Sequence, residues 1–189
     1  MFREAPRIET ERLVLRALRA EDLDPLSAIW SDPNVVRYLG GTPLGREDTW
    51  RRALAACGQW PVAGFGYWIA ESKGDGGVIG QLGFADFKRD MVPSLEGLPE
   101  LGYVFAPAVQ GQGIAREGCA AALEWADANL AAQSYPAIIS LENEASIRLA
   151  ERLGFMREPD TTYRGETIAL FRRPGRLPAS AAATPATAA

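Results

Sequence analysis

The apolar positions of this chain change period several times, and each change marks an element. Residues 12–18, "RLVLRAL", put Leu13, Leu15 and Ala17 on one side, the alternation of a short strand. In "AEDLDPLSAIW" (20–30) acidic residues come first and Leu23, Leu26, Ile29 and Trp30 follow at helical spacing, which predicts a helix. The turn-rich "SDPNVVRYLGGTPLG" (31–45) separates it from a second predicted helix, "REDTWRRALAACGQW" (46–60). "FGYWIAES" (65–72) and "VIGQLGFADF" (78–87) read as strands joined by the hairpin punctuation "KGDGG". The loop "MVPSLEGLP" leads to a further strand, "ELGYVFA" (100–106). A helix of about four turns from Ile114 to Leu130 follows. After it come a strand "AIISLE" (137–142), a helix "EASIRLAERLG" (144–154) and a closing pair of strands near 155–157 and 166–172. The pattern repeats nowhere. The end, "PGRLPASAAATPATAA" (174–189), holds three prolines and almost no bulky apolar residue, so a single domain over 1–173 followed by a disordered tail is expected.

Composition narrows the function. With 189 residues, 47% of them apolar, the chain can bury one sizeable core. A net charge of -4 argues against a general nucleic-acid binder, which would present a basic face. No run approaches a membrane span, and the start "MFREAPRIETERL" is too charged for a signal peptide; a cytoplasmic protein without a membrane partner is expected. Cys57 and Cys119 make no disulfide framework and are expected as buried reduced thiols. Histidine is absent, which removes Ser-His-Asp and Cys-His catalysis and imidazole-bound zinc, so no metal is expected. Proton transfer falls to Glu, Asp, Tyr, Cys, Ser, the backbone or water.

The stretch "VFAPAVQGQGIAREGCAAALEWA" (104–126) runs from a strand through a glycine turn into a helix, and Gly111 and Gly113 let a ligand approach successive N–H groups. A Walker loop would need Gly-Lys-Ser/Thr, but Ile114 and Ala115 follow Gly113. The dinucleotide fingerprint would need a third small residue where Arg116 stands. "Q-x-x-G-x-A", Gln110 to Ala115, remains. With "LENEASIRLAERLGF" (141–155), in which Asn143, Ser146, Gly154 and Phe155 recur in order, it resembles the acyl-CoA signature of the GNAT superfamily of N-acetyltransferases. "ETERLVLRALRAEDLDPLSAIWSDPNVVRYL", "GYWIAES", "GVIGQLGF" and "ELGYVFAP" are similar to the branch of the ribosomal-protein N-terminal acetyltransferases, and the resemblance spans roughly residues 8–173.

The resemblance implies an α/β (α+β) GNAT fold: a central mixed, mostly antiparallel sheet with flanking helices and a V-shaped splay between its fourth and fifth strands. It implies transfer of acetyl from acetyl-CoA to a primary amine, by direct attack in a ternary complex, the α-amino group of a protein or peptide N-terminus being the leading acceptor. A non-catalytic acyl-CoA-binding module and a small-molecule amine acceptor stay open. Gln110, Gly111, Gln112, Gly113, Ile114 and Ala115 would receive the coenzyme A pyrophosphate. Tyr103, Val104 and Phe105 would line the pantetheine arm with their backbone, in a bulged strand, while their side chains pack in the core. Glu100 is the candidate base. Ala150 stands where many of these enzymes carry a tyrosine that protonates the thiolate, so Ser146 becomes the candidate donor; its other reading is a hydroxyl that caps the helix. Asn143 would contact the cofactor or simply end its strand. Trp30, Asp32, Arg37 and Tyr38 would wall the acceptor site, and Cys119 would serve helix-sheet packing.

Overall fold

The structure, a computed structural model, describes residues 2–176. Residues 177–189 and the side chain of Cys57 lie outside that description, and with them the expectations of a tail and of a buried Cys57 thiol. Two antiparallel sheets stand edge to edge. The first runs β1 (Ile8–Glu9), β2 (Leu13–Arg16), β3 (Tyr67–Ser72), β4 (Val78–Ala85) and β5 (Glu100–Phe105), in that order. The second is built from β6 (Ser134–Ser140), β7 (Met156–Arg157), β8 (Thr161–Tyr163) and β9 (Glu166–Pro174), with β9 pairing all three others. β5 and β6 approach one another without forming a ladder, so the expected splay between the fourth and fifth strands lies here.

Helices cover both faces of the first sheet. α4 (Ile114–Asn129) lays Ile114, Cys119, Ala122, Leu123 and Ala126 against Leu13, Leu15, Trp68, Leu82, Phe84, Leu101 and Phe105, the alternate residues of four strands. Cys119 is fully buried in that packing, as expected, and burial pushes its thiol up and away from reactivity. The opposite face takes α1 (Leu23–Trp30), the short α2 (Pro33–Val36) and α3 (Arg46–Ala63): Leu26 and Ala53 pack on Ile69, while Ile29, Trp30, Val35 and Val36 gather around Val104. α5 (Glu144–Arg152) follows β6 and contributes the buried Ala150.

Several expectations need correction. β6 begins at Ser134 rather than 137. Pro136 lies within the strand, and because β6 is the edge of its sheet the missing N–H costs no ladder bond. β9 reaches Pro174, one residue into the segment read as a tail, and the Gly175 N–H still donates to the Gln133 carbonyl. The elements β1, α2 and β8 were not expected; two to four residues are too few to show a period. The bulge expected in β5 is elsewhere: β5 pairs β4 without a break from Gly80↔Phe105 to Ala85↔Glu100, and the register shift falls between β3 and β4, at Ala70/Glu71.

Candidate functional site

β5 leads into the turn through a 3-10 segment, Pro107–Val109. Gly111 (φ 75°) and Gly113 (φ 78°) adopt the left-handed conformation that glycine supports at least cost. A Cβ at Gly111 would meet nothing within 4 Å, and one at Gly113 only Arg12 Nη2 at 3.6 Å, so the space above the turn is open. Helix α4 starts at Ile114 with no side-chain cap. Among the described residues no protein group accepts from the N–H groups of Gly111 to Arg116, which leaves a row of donors at the positive end of a 16-residue helix. These residues fit a diphosphate. Gln110 and Gln112 turn their amides inward instead: Gln112 Nε2 donates to the Ala108 carbonyl (2.7 Å) and Gln110 Nε2 leans on that of Phe105 (3.5 Å). From outside, Arg12 Nη1 donates to the Gln112 carbonyl (2.8 Å) while its Nε pairs with Glu117 (2.6 Å), which also accepts the Arg12 N–H and the Thr10 hydroxyl.

Across the splay, Asn143 caps α5 by accepting the Ser146 N–H at 3.1 Å. Capping therefore belongs to Asn143, and the reading of Ser146 as the capping hydroxyl is corrected: Ser146 is three residues inside the cap, its hydroxyl outside that role. From β5, the Tyr103 hydroxyl is buried with no hydrogen-bond partner. Burial pushes its phenol up, and the Ser146 side chain is close enough to oppose that shift. Val104 and Phe105 pack in the core on opposite faces of β5, as their side chains were expected to.

Glu100, Gly102 and Val104 share the other face of β5, toward α1, α2 and α3. Glu100 is 4% exposed, not a solvated strand end, and Arg89 grips it with two bonds of 2.7 and 2.8 Å. Burial raises the Glu100 carboxyl above its ordinary value; the hydrogen bonds and charge of Arg89 oppose the rise, and the charge of Asp86 adds to it. The Arg89 guanidinium itself lies over the Phe87 ring at 4.5 Å and the Tyr163 ring at 4.7 Å. Tyr67, Gly83 and Gly102 lie in one row across three strands, and the Tyr67 hydroxyl reaches over Gly102. Burial pushes the Tyr67 phenol up, with the charge of Glu100 adding and those of Arg52 and Arg89 opposing.

Trp30 is 3% exposed and belongs to the core around Val104, and it carries the Arg52 guanidinium over its ring at 4.3 Å. Asp32 caps α2 through the Asn34 N–H (2.8 Å), and Arg37 stacks on the neighbouring Tyr38 ring at 5.1 Å. The structure thus brings Glu100 and Trp30 to one face of β5, while Asp32 has a structural partner of its own. Arg52, Tyr67 and Arg89 escaped the sequence reading because each joins the site only through helix packing, sheet register or a loop. The paired glycines in "QLGF" and "ELGY" were the one signal of a large side chain lying across two strands.

A cavity of about 460 Å³ lies elsewhere, beside Ser134, Met156 and Arg172, where Arg172 is already paired with Glu158 at 2.7 Å. Among the described residues no group of three or more His, Cys, Asp or Glu side chains could hold a metal, and no helix is long and apolar enough to cross a membrane.

Residues 12–156 match the family model of the acetyltransferase (GNAT) domain. The uncharacterized N-acetyltransferase p20 of Bacillus licheniformis is 30% identical over 153 residues, covering 79% of this chain and 82% of p20. The structure of an acetyltransferase from Agrobacterium tumefaciens str. C58 is 26% identical and superimposes with a TM-score of 0.76, covering 89% of this chain and 94% of that one. Two more distant structures share the fold. RimL, a ribosomal L7/L12 α-N-protein acetyltransferase in complex with coenzyme A, gives a TM-score of 0.72 at 16% identity over 90% and 99% of the two chains. The spermidine N-acetyltransferase from Vibrio cholerae, in complex with CoA and spermine, gives 0.66 at 20% over 86% and 95%.

Proposed function

From the premise that this chain belongs to the GNAT acetyltransferase family and is an acetyl-CoA-dependent N-acetyltransferase, we propose that its acceptor is an α-amino group, foremost that of a peptide or protein N-terminus. One arrangement carries the reading: the open donors of the 111–116 turn lie at the exit of β5, and the same strand offers Glu100 on its other side. In this reading the pyrophosphate rests on the N–H groups of Gly111 to Ala115, and the pantetheine arm follows the backbone of Tyr103 to Phe105 into the splay. The neutral amine attacks the thioester carbon; the C–N bond forms, the carbonyl oxygen takes the negative charge, and the C–S bond then breaks. Glu100 receives the proton lost by the amine, directly or through water, and Ser146 supplies one to the departing thiolate. Asn143 frees Ser146 for this by holding the helix cap, and the Tyr103 hydroxyl lies close to it.

A weak base suits an α-amine. With a pKa of about 7.7 to 8.0, roughly a tenth of such groups are neutral at pH 7, against about four in ten thousand for a lysine amine near 10.4. Arg89 keeps Glu100 a modest base, which favours the less basic acceptor. The RimL neighbour acts on a protein α-amine by its description, and the spermidine enzyme on a polyamine, so the fold accommodates both kinds.

The test compares a peptide with a free N-terminus against the same peptide blocked there and carrying lysine, with thiol release and mass detection. Glu100→Gln lowers turnover of the free peptide at neutral pH, and part of the loss returns at higher pH. Efficient acetylation of the blocked peptide alone overturns this choice of acceptor. Acetyl-CoA binding without thiol release by any amine class would point to a non-catalytic acyl-CoA module.

A further inference from the structure

The positive charges above β5 are not all balanced. Arg89 is matched by Glu100. On α3, Arg46 pairs with Asp24 and Arg51 with Glu47 and Asp48. Among the described residues, Arg52 alone of these has no carboxylate within salt-bridge distance and no hydrogen-bond acceptor. Its position is nevertheless fixed, because Trp30 is core and holds the guanidinium by its flat face at 4.3 Å. Stacking occupies the plane and leaves the N–H edge, a planar fork suited to two oxygens, without a ligand.

Arg52 is exposed to water, yet protein crowds it enough to lower its guanidinium from the ordinary value, with Arg89 repelling and Tyr67 supporting the charge. Tyr67 fixes where this lies, since its hydroxyl reaches over Gly102, two residues from Glu100 on one side and from Val104 under Trp30 on the other. That stretch of β5 is roughly 13 Å long, so an acceptor with its amine at Glu100 has its own first residue or two within reach of Arg52. One turn before Arg52, buried Thr49 also has an unpaired hydroxyl on this side of α3.

We infer that Arg52, set on Trp30, anchors a carboxylate of the acceptor, so that the enzyme selects α-amines bearing a nearby negative charge. This rests on the reading of Glu100 as the group that meets the amine. A free acidic amino acid and a peptide with an acidic first residue offer the same chemistry; a polyamine offers the opposite charge.

The experiment measures kcat and KM at saturating acetyl-CoA for free glutamate, for peptides beginning with glutamate, alanine or lysine, and for spermidine. It uses the full chain and the variants Arg52→Gln and Arg52→Lys. A charge-assisted bond of this kind predicts that the wild type prefers glutamate-bearing over alanine-bearing acceptors by roughly ten- to a hundredfold, chiefly in KM. Arg52→Gln collapses that ratio toward one and Arg52→Lys restores part of it. Comparison of free glutamate with the glutamate peptide separates the two sources of the carboxylate. The same ratio in wild type and Arg52→Gln, or equal use of spermidine, overturns the inference. If no α-amine turns over, the functional reading fails by itself, and the subsite is decided by calorimetry with N-acetylglutamate in the presence of coenzyme A. Binding weakened at least tenfold by Arg52→Gln upholds the anchor; unaltered or absent binding in both proteins removes it.

Discussion

The phenolic oxygen of Tyr67 lies over Gly102, 1.9 Å from where a Cβ on that residue would stand. Gly102→Ala therefore overfills the face that carries Glu100 and is expected to cost about 1–3 kcal/mol. In a Tyr67→Phe background the nearest remaining ring atom is Cζ at 3.1 Å, and the cost of the alanine falls by more than about 0.5 kcal/mol. Urea unfolding of the four proteins in this cycle measures the coupling; identical costs in the two backgrounds would show that the hydroxyl does not set the close approach.

Arg89→Gln strands a buried carboxylate. In the folded protein Glu100 already binds its proton more tightly than an exposed glutamate, so its contribution to stability declines as pH rises through its folded pKa. Arg89 is the group that opposes this shift. Without it the folded pKa climbs further, and the variant loses stability progressively from the ordinary carboxylate range toward neutrality. The loss near pH 7 is expected to be about 3–5 kcal/mol, most of it recovered in Arg89→Gln/Glu100→Gln. Melting temperatures recorded across that range check the sign, and a penalty independent of pH would contradict it.

At the start of α5, Asn143→Ala is expected to cost about 0.5–2 kcal/mol through the lost cap. Ser146→Ala, whose hydroxyl caps nothing, should change stability by no more than about 0.5 kcal/mol while lowering turnover. Denaturation curves for both, set beside their thiol-release rates, separate the two roles; a large stability loss in Ser146→Ala would return that residue to structure.

Gly113 tests the turn. Valine there is strained by its positive φ, at a cost of about 1–2 kcal/mol, so lost affinity in Gly113→Val would mix folding with binding. Asparagine tolerates that conformation better and still places a Cβ in the open space above the donors. Gly113→Asn is expected to melt close to the wild type and to bind acetyl-CoA at least tenfold more weakly by calorimetry, since about 1.4 kcal/mol of lost contact suffices. Unaltered affinity would remove the pyrophosphate from this turn.

What the sequence made legible followed from period and punctuation. The long helices were readable from apolar residues at helical spacing, and β2 to β5 because Leu13 and Leu15, or Leu82 and Phe84, alternate toward a single core. The turn was readable because its two glycines stand one residue apart in the chain. The charge arrangement over β5 was not. Glu100 stood out as a residue, but its clamp by Arg89 arises from a loop that folds back across eleven residues, and the approach of Tyr67 to Gly102 depends on the register of three strands. Pairing of that sort leaves no local trace.

The contact between Arg12 and the Gln112 carbonyl has a geometric corollary. In a trans peptide the C=O of one residue and the N–H of the next point in opposite directions. Drawing the oxygen of Gln112 toward Arg12 therefore turns the N–H of Gly113 to the side of the peptide opposite that guanidinium. With glycine on its C-terminal side, this peptide plane could otherwise swing at reduced cost. The arginine at the edge of β2 works as a stay on a hinged plate: a cation held by Glu117 sets the tilt of one donor in the turn.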